Sequence, residues 1–215
     1  MSGRRQSSRR WVDRQRRDVY VRQAHEKGYR SRAVFKLIEL DRRNCLFRTG
    51  QCVVDLGAAP GGWSQYAAER VGASGMVVAV DLTPMDPIPG VEMVEVDITQ
   101  TGSGELIRRG LRDRKVDLVI SDMAPRMSGV VSRDQALALE LAEAALGVAA
   151  SLLAHGGMLL VKVFEGEMTP VFRQQVRERF ERHVSRKPTA SRSESRERYV
   201  IATNPLTGAS NGSEL

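Results

Sequence analysis

From Gln51 onward, short continuous apolar runs alternate with amphipathic stretches of helical length, and few chain folds accommodate that alternation. The runs within QCVVDLG, GMVVAVDL, VEMVEVDI, KVDLVISDMAP and GGMLLVKVF carry little period-two polarity, so the strands they form need cover on both faces. Between them lie GGWSQYAAERVG, GELIRRGLRD, RDQALALELAEAALGVAASLLAHG and, after the last, MTPVFRQQVRERFERHV, with Pro170 in its first turn. Helical crossovers join parallel strands, so with HVSRKP and RERYVIAT the pattern predicts an α/β domain, a mostly parallel sheet of seven strands with helices on both faces. The connection between Arg186 and Arg198 is too short for a helix, so the last strand is predicted antiparallel. Its first residues then sit at the edge where the parallel strands end.

The flanks differ from this unit. Residues 1–28 form a polar arm with Trp11 and Tyr20 among arginines, expected to be flexible at its start. YRSRAVFKLIELDRRNCLF places Ala33, Val34, Leu37, Ile38 and Leu40 at helical spacing, with Ser31 as the predicted N-cap and the long helix RDQALALELAEAALGVAASLLAHG likewise expected to end at its glycines. The tail NPLTGASNGSEL is small and polar. The predicted division is a basic arm at 1–28, one domain at 29–203 and a disordered tail at 204–215. Charge follows the same division. The formal total is +7, yet residues 1–32 carry +8 and 173–198 carry +5, while 33–172 carry −5. Basic flanks around an acidic body suit a polyanion held by the ends, RNA or DNA.

Other classes lose support. The longest near-apolar stretch, AALGVAASLLA, falls short of the roughly 20 residues a bilayer requires, so no membrane span is expected. Cys45 and Cys52 give neither a disulfide framework nor a zinc pattern, which fits a reducing compartment, the cytoplasm. His25, His155 and His183 show no ligand spacing, so no metal is expected. The Arg- and Ser-rich start lacks a secretory apolar core but matches a mitochondrial transit peptide in composition.

The turn VVDLGAAPGGWSQY marks the ligand site, because open α/β sheets bind ligands beyond the carboxyl ends of their strands. Asp55 lies at the base of the turn, with Gly57 and Gly61 within it. Asp81 follows at the end of the second strand, where a carboxylate accepts both ribose hydroxyls of a nucleoside. Asp97 ends the third strand, placed to accept from an exocyclic adenine amine, and Asp122 ends the fourth. A diphosphate needs free backbone N–H donors and no neighbouring anion. Here Pro60 removes a donor, GxGxxG is incomplete and Asp55 adds an anion, so the turn disfavours a dinucleotide and suits a nucleoside with a cationic amino-acid end, as in S-adenosylmethionine. There is no GxxxxGK[ST].

DLGAAPGGWSQY, SDMAP with MSG after it, LLVKVFEG, YRSRAVFKL and SRSESRERYVIA together resemble the FtsJ-type family of S-adenosylmethionine-dependent RNA ribose 2′-O-methyltransferases. The resemblance runs from the basic arm to about Thr203. It implies a Rossmann-like methyltransferase sheet and a catalytic tetrad at Lys36, Asp122, Lys162 and Glu197. It also implies cofactor contacts at Gly61, Trp63, Asp81, Asp97 and Asp122, and a substrate uridine of the A-loop of 23S ribosomal RNA in the large subunit, with a monomeric enzyme. Bacterial members share such an arm, which weakens the transit-peptide reading.

The residues agree with that implication. Lys162 interrupts an apolar run, and a lysine is almost never fully buried without a partner. The sulfonium methyl is already activated, so what the protein must supply is a positioned, deprotonated hydroxyl. A lysine serves as general base when desolvation and neighbouring positive charge bring its pKa to about 7 to 8. Lys162 is expected to deprotonate or polarise the 2′-hydroxyl, Asp122 and Glu197 to orient it, and Lys36 to help hold the substrate. RRQSSRRW and SRKPTASR are expected to bind phosphates, with Trp11 or Tyr20 available for stacking. Two other classes stay open at this stage: a non-catalytic RNA-binding assembly factor on the same fold, and an NAD-dependent oxidoreductase.

Overall fold

The computed structural model describes residues 18–206. The Arg-rich start with Trp11, and the tail from residue 207, lie outside them. Two helices precede the sheet, α1 (Val19–Glu26) and α2 (Val34–Asn44). The chain then runs β1 (Cys52–Leu56), α3 (Gly62–Val71), β2 (Met76–Asp81), β3 (Val91–Glu95), α4 (Ser103–Leu111), β4 (Val116–Ser121) and α5 (Val131–Leu152). It closes with β5 (Leu153–Phe164), α6 (Thr169–Arg179), β6 (Phe180–Arg186) and β7 (Glu197–Pro205).

The seven strands form one sheet in the order β3-β2-β1-β4-β5-β7-β6. The pairs from β3 to β5 are parallel, and β7 lies antiparallel between β5 and β6. The sheet is covered on both faces, as its apolar strands require. On one side Val54, Leu56, Val78, Val119, Val161 and Val200 pack against α4, α5 and α6. On the other Val53, Val77, Ile120, Leu160, Tyr199 and Ile201 pack against α2 and α3. The buried Asp41 fastens that second layer. Its carboxylate accepts from the Leu46 and Phe47 N–H groups and the Tyr66 hydroxyl, and Arg70 lies 3.2 Å away.

Several boundaries differ from expectation. Ser31 does not cap α2: its Oγ accepts from the Ala33 N–H one turn early, and Ala33, already helical, precedes the helix. The long helix does not end at the glycines. It leaves helical geometry at Leu153, which pairs with Val116, and Gly156, at φ +78°, supplies the left-handed residue where the register between β4 and β5 shifts. β6 begins at Phe180 rather than His183, and β7 takes up Asn204 and Pro205 from the expected tail. The arm contains α1, capped by the Asp18 side chain accepting from the Tyr20 N–H. Helix α5, 22 residues, is long and apolar enough by length and composition to cross a membrane, which corrects the sequence estimate. Its Ala138, Ala142, Ala145, Leu146 and Ala149 are buried in the core of the domain.

Candidate active site

Strand periodicity decides which carboxylates and amines meet. Side chains two residues apart point to the same face. Lys162 therefore follows Leu160, Asp122 follows Ile120, and Glu197 precedes Tyr199 and Ile201, all on the face under α2 and α3. The antiparallel register sets Lys162 opposite Tyr199 and Phe164 opposite Glu197. Lys36 reaches the same point from the first turn of α2.

The four residues of the sequence reading come together. Lys162 Nζ lies 2.9 Å from Asp122 Oδ1 and also donates to the Asp122 carbonyl. Lys36 Nζ lies 2.9 Å from Glu197 Oε1 and 3.8 Å from Asp122 Oδ2. Lys162 and Glu197 are each only 7% exposed, so the cluster is two interlocked, nearly buried ion pairs. Sequence reasoning missed a fifth member. Tyr199, fully buried, donates its hydroxyl to Asp122 Oδ1 at 2.6 Å, and its pKa is pushed well up by burial and then by Asp122 and Glu197. Its period-two relation to Glu197 was legible, but an aromatic residue in RYVIAT reads as core.

Beside the tetrad a cleft of about 410 Å³ opens over the carboxyl ends of β1, β2 and β4. Gly57, Asp81, Asp97, Asp122, Met123 and Arg126 line it. The size suits a small-molecule cofactor. Gly57 has φ +72°, and a Cβ there would sit 2.1 Å from Met123 Cγ, so the floor tolerates only glycine. Asp81 is held in place by the N–H groups of Ala59 and Thr83, which donate to its two oxygens. Asp97 accepts from the N–H and hydroxyl of Thr99, which lower its pKa. With Asp122 already paired to Lys162, Asp81 and Asp97 against Arg126 leave the cleft net negative, and the residues fit a nucleoside with a positively charged substituent better than a diphosphate.

The remaining sequence candidates lie elsewhere. Asp55 is 1% exposed beneath the turn, accepting from Ser64 Oγ of α3 at 2.6 Å, and it does not line the cleft. Burial pushes its carboxyl up to about 7, against the hydrogen bond from Ser64, with Asp122 and Asp81 adding to the rise. The anion invoked at the base of the turn is thus a desolvated group that is half protonated near pH 7. The Trp63 indole is buried toward α2, donating Nε1–H to the Ala33 carbonyl, and its ring lies 5.9 Å from that of Tyr199. Gly61, at φ +107°, faces Ile88 and Arg30. Neither side contributes a cleft wall. Arg30 was also missed: its guanidinium donates to the carbonyls of Pro60, Asp86 and Pro87, tying the glycine turn to the proline-rich loop. In sequence it is one more arginine in a basic run. Among the described residues no group of three or more His, Cys, Asp and Glu comes together to hold a metal ion.

A sheet in this order with an antiparallel seventh strand, and a carboxylate-lined cleft at its switch in strand order, define a Rossmann-like fold with its ligand cleft at the carboxyl edge. Comparison with known proteins sharpens the class. The profile of the FtsJ-like methyltransferases matches residues 29–205, and the chain belongs to that family. It is 49% identical over 199 residues to the ribosomal RNA large subunit methyltransferase E of Alkalilimnicola ehrlichii, covering 93% of this chain and 95% of the relative. With the protein of the same name from Hahella chejuensis it shares 50% identity over 200 residues, 93% and 97% of the two chains. Among solved structures, a ribosomal RNA methyltransferase of Plasmodium falciparum superposes with a TM-score of 0.75 at 28% identity, over 83% of this chain and 99% of that one.

Proposed function

We propose that the chain methylates a ribose 2′-hydroxyl of 23S ribosomal RNA, a uridine of the A-loop in the large ribosomal subunit, with S-adenosylmethionine as donor and Lys162 as general base. The observation that carries the reading is that Asp122 belongs to both halves of the site: its carboxylate lines the acidic cleft and lies 2.9 Å from Lys162. A group able to activate a hydroxyl thus stands at the end of a cleft suited to a cationic donor. Relatives near 50% identity that bear the name of a large-subunit ribosomal RNA methyltransferase support the substrate. Such a substrate also fits a cytoplasmic, monomeric enzyme.

In this reading Asp81 takes the ribose hydroxyls of the donor, Asp97 its adenine amine and Asp122 its cationic portion. When bound, the donor supplies a methyl already activated by the adjoining sulfonium. Lys162, in its amine form, takes the proton from the 2′-hydroxyl. Glu197 holds Lys36 at the mouth, Lys36 in turn holds the substrate, and Tyr199 fixes the Asp122 carboxylate so that Lys162 is aimed at one point.

The close Lys162–Asp122 ion pair favours a second role for the same residue, in which its ammonium polarises the hydroxyl by donating to it. The rate of single-turnover methyl transfer against pH separates the two: a base gives a rate rising with pH to a plateau, a donor a rate falling above it. The overall reading is tested by incubating the protein and labelled S-adenosylmethionine with large subunits from cells lacking it, then mapping ribose methylation. Label on base nitrogens, or none in the A-loop, would refute it.

A further inference from the structure

A second cleft, about 510 Å³, is lined by Tyr20, Phe35, Glu39, Arg42, Arg43 and Thr189 among others. We propose that it is a subsite for one unpaired nucleotide of the substrate RNA, the base laid against Tyr20 and Phe35 and the phosphate held by Arg42 and Arg43. This rests on the RNA substrate proposed above.

The cleft is a built feature. Its far wall, the connection between β6 and β7, is fastened to α2 by Glu39 Oε2, which accepts from the N–H and the hydroxyl of Thr189 at 2.7 Å each. Arg32 ties α1 to the same connection by pairing with Asp18 at the cap of α1 and donating to the Ala190 carbonyl. Three segments distant in sequence are thereby locked around one space.

Its chemistry matches a nucleotide. The Tyr20 and Phe35 rings are half-buried, 5.4 Å apart and tilted by 39°, and present an aromatic surface to the cleft. Arg32 lies 5.4 Å from the Tyr20 ring and Lys27 5.7 Å from the Phe35 ring, while Arg42 and Arg43 are exposed at the rim, Arg43 also pairing with Glu39 at 2.9 Å. Unpaired RNA bases are recognised by stacking on aromatic faces with arginines on the backbone.

Position completes the argument. α2 carries Lys36 between Phe35 and Leu37, and the β6–β7 connection runs on into Glu197, so the two walls of this cleft are the elements whose Lys36 and Glu197 meet at 2.9 Å in the tetrad. A strand whose target ribose lies at Lys162 therefore runs beside elements that also wall the second cleft.

The test pairs kinetics with crosslinking. Tyr20→Leu with Phe35→Leu keeps the packing and removes the π-surface, and is expected to raise KM for the RNA about 5- to 100-fold while KM for S-adenosylmethionine stays within twofold. Arg42→Ala with Arg43→Ala should reduce the salt dependence of RNA binding by about 0.7 in log–log slope, the share of one phosphate on a single strand. A folded variant with unchanged RNA KM overturns the proposal, and a changed oligomeric state in that variant would assign the cleft to a second copy instead. Should the variants not fold, wild-type protein crosslinked to 4-thiouridine-substituted single-stranded RNA decides: adducts on Tyr20 or Phe35 support the subsite, adducts confined to other segments refute it. Methyl transfer by the wild type on the same RNA is scored separately, so loss of the proposed reaction and loss of the subsite give different results.

Discussion

Asp55→Asn should stabilise the folded protein above neutral pH and weaken its pH dependence. Asp55 is 1% exposed and its carboxyl is raised to about 7 from an ordinary 3.8, mainly by burial. The sign follows from linkage. A carboxyl with a raised folded-state pKa holds its proton more tightly when folded, so its contribution is full below about pH 4 and is lost as pH rises through about 7. Three units at 1.36 kcal/mol each make roughly 4 kcal/mol in total, of which about 2.5 kcal/mol is lost between pH 5 and 8. Asparagine keeps an acceptor for Ser64 Oγ but adds an amide donor, whose desolvation costs about 1–3 kcal/mol if unmatched. That cost is independent of pH. The measurement is therefore a double difference: urea unfolding of both proteins at pH 5, 6.5 and 8, with equal m-values required. The stability of the variant relative to wild type should improve by about 2–3 kcal/mol from pH 5 to 8. Parallel pH profiles, within about 0.5 kcal/mol, would show that Asp55 is ionised in the folded state at little cost and that the turn does carry an anion.

Three further substitutions probe the site. Lys162→Ala should lower the methyl-transfer rate at least about 100-fold while the calorimetric Kd for S-adenosylmethionine changes less than about threefold, since the lysine touches Asp122 and not the cleft. Tyr199→Phe removes one buried hydrogen bond to a carboxylate, about 1.5–3 kcal/mol, and should lower kcat about 10-fold or more with KM for the donor little changed; an unaltered kcat would mean Lys162 alone fixes Asp122. Asp134 accepts from Ser128 N–H and hydroxyl and from Gly129 N–H, pinning the loop that follows Asp122, and the Ser128 bonds depress its pKa. Asp134→Ala should speed proteolytic cleavage within residues 123–130 and raise KM for the donor, and in the wild type the same loosening should set in as acid protonates this carboxylate; unchanged cleavage would show the loop is held from elsewhere.

What could be read from sequence divides along physical lines. The strands were legible because a two-sided sheet forces continuous apolar runs, and the antiparallel β7 because a short connection between Arg186 and Arg198 cannot hold a crossover. Asp81, Asp97 and Asp122 were legible as carboxylates closing strands. The α5–β5 junction was not, because AASLLAHGG is equally apolar as helix and as strand, and the glycine that serves a bulge looks like one that ends a helix. Asp55 and Trp63 were placed on the cleft by their position in the motif. Which face each side chain takes is set by strand and helix phase, and both turn under the layer of α2 and α3. The second cleft was illegible altogether, since its walls come from α1, α2 and the β6–β7 connection and meet only in the folded chain.

The charge balance of the two halves explains why the residues are arranged as they are. Burying two lysines and two carboxylates gains little stability, because desolvation offsets most of the attraction between them. Stability alone therefore does not account for the cluster, and here each amine has a carboxylate at 2.9 Å, so the tetrad is neutral as a unit. The cleft beside it is acidic. The cleft therefore attracts a cation, whereas a polyanion meets no net negative field at the tetrad. Asp122 lies on the boundary and belongs to both fields. Its partners Lys162, Lys36 and Tyr199 hold it in one orientation.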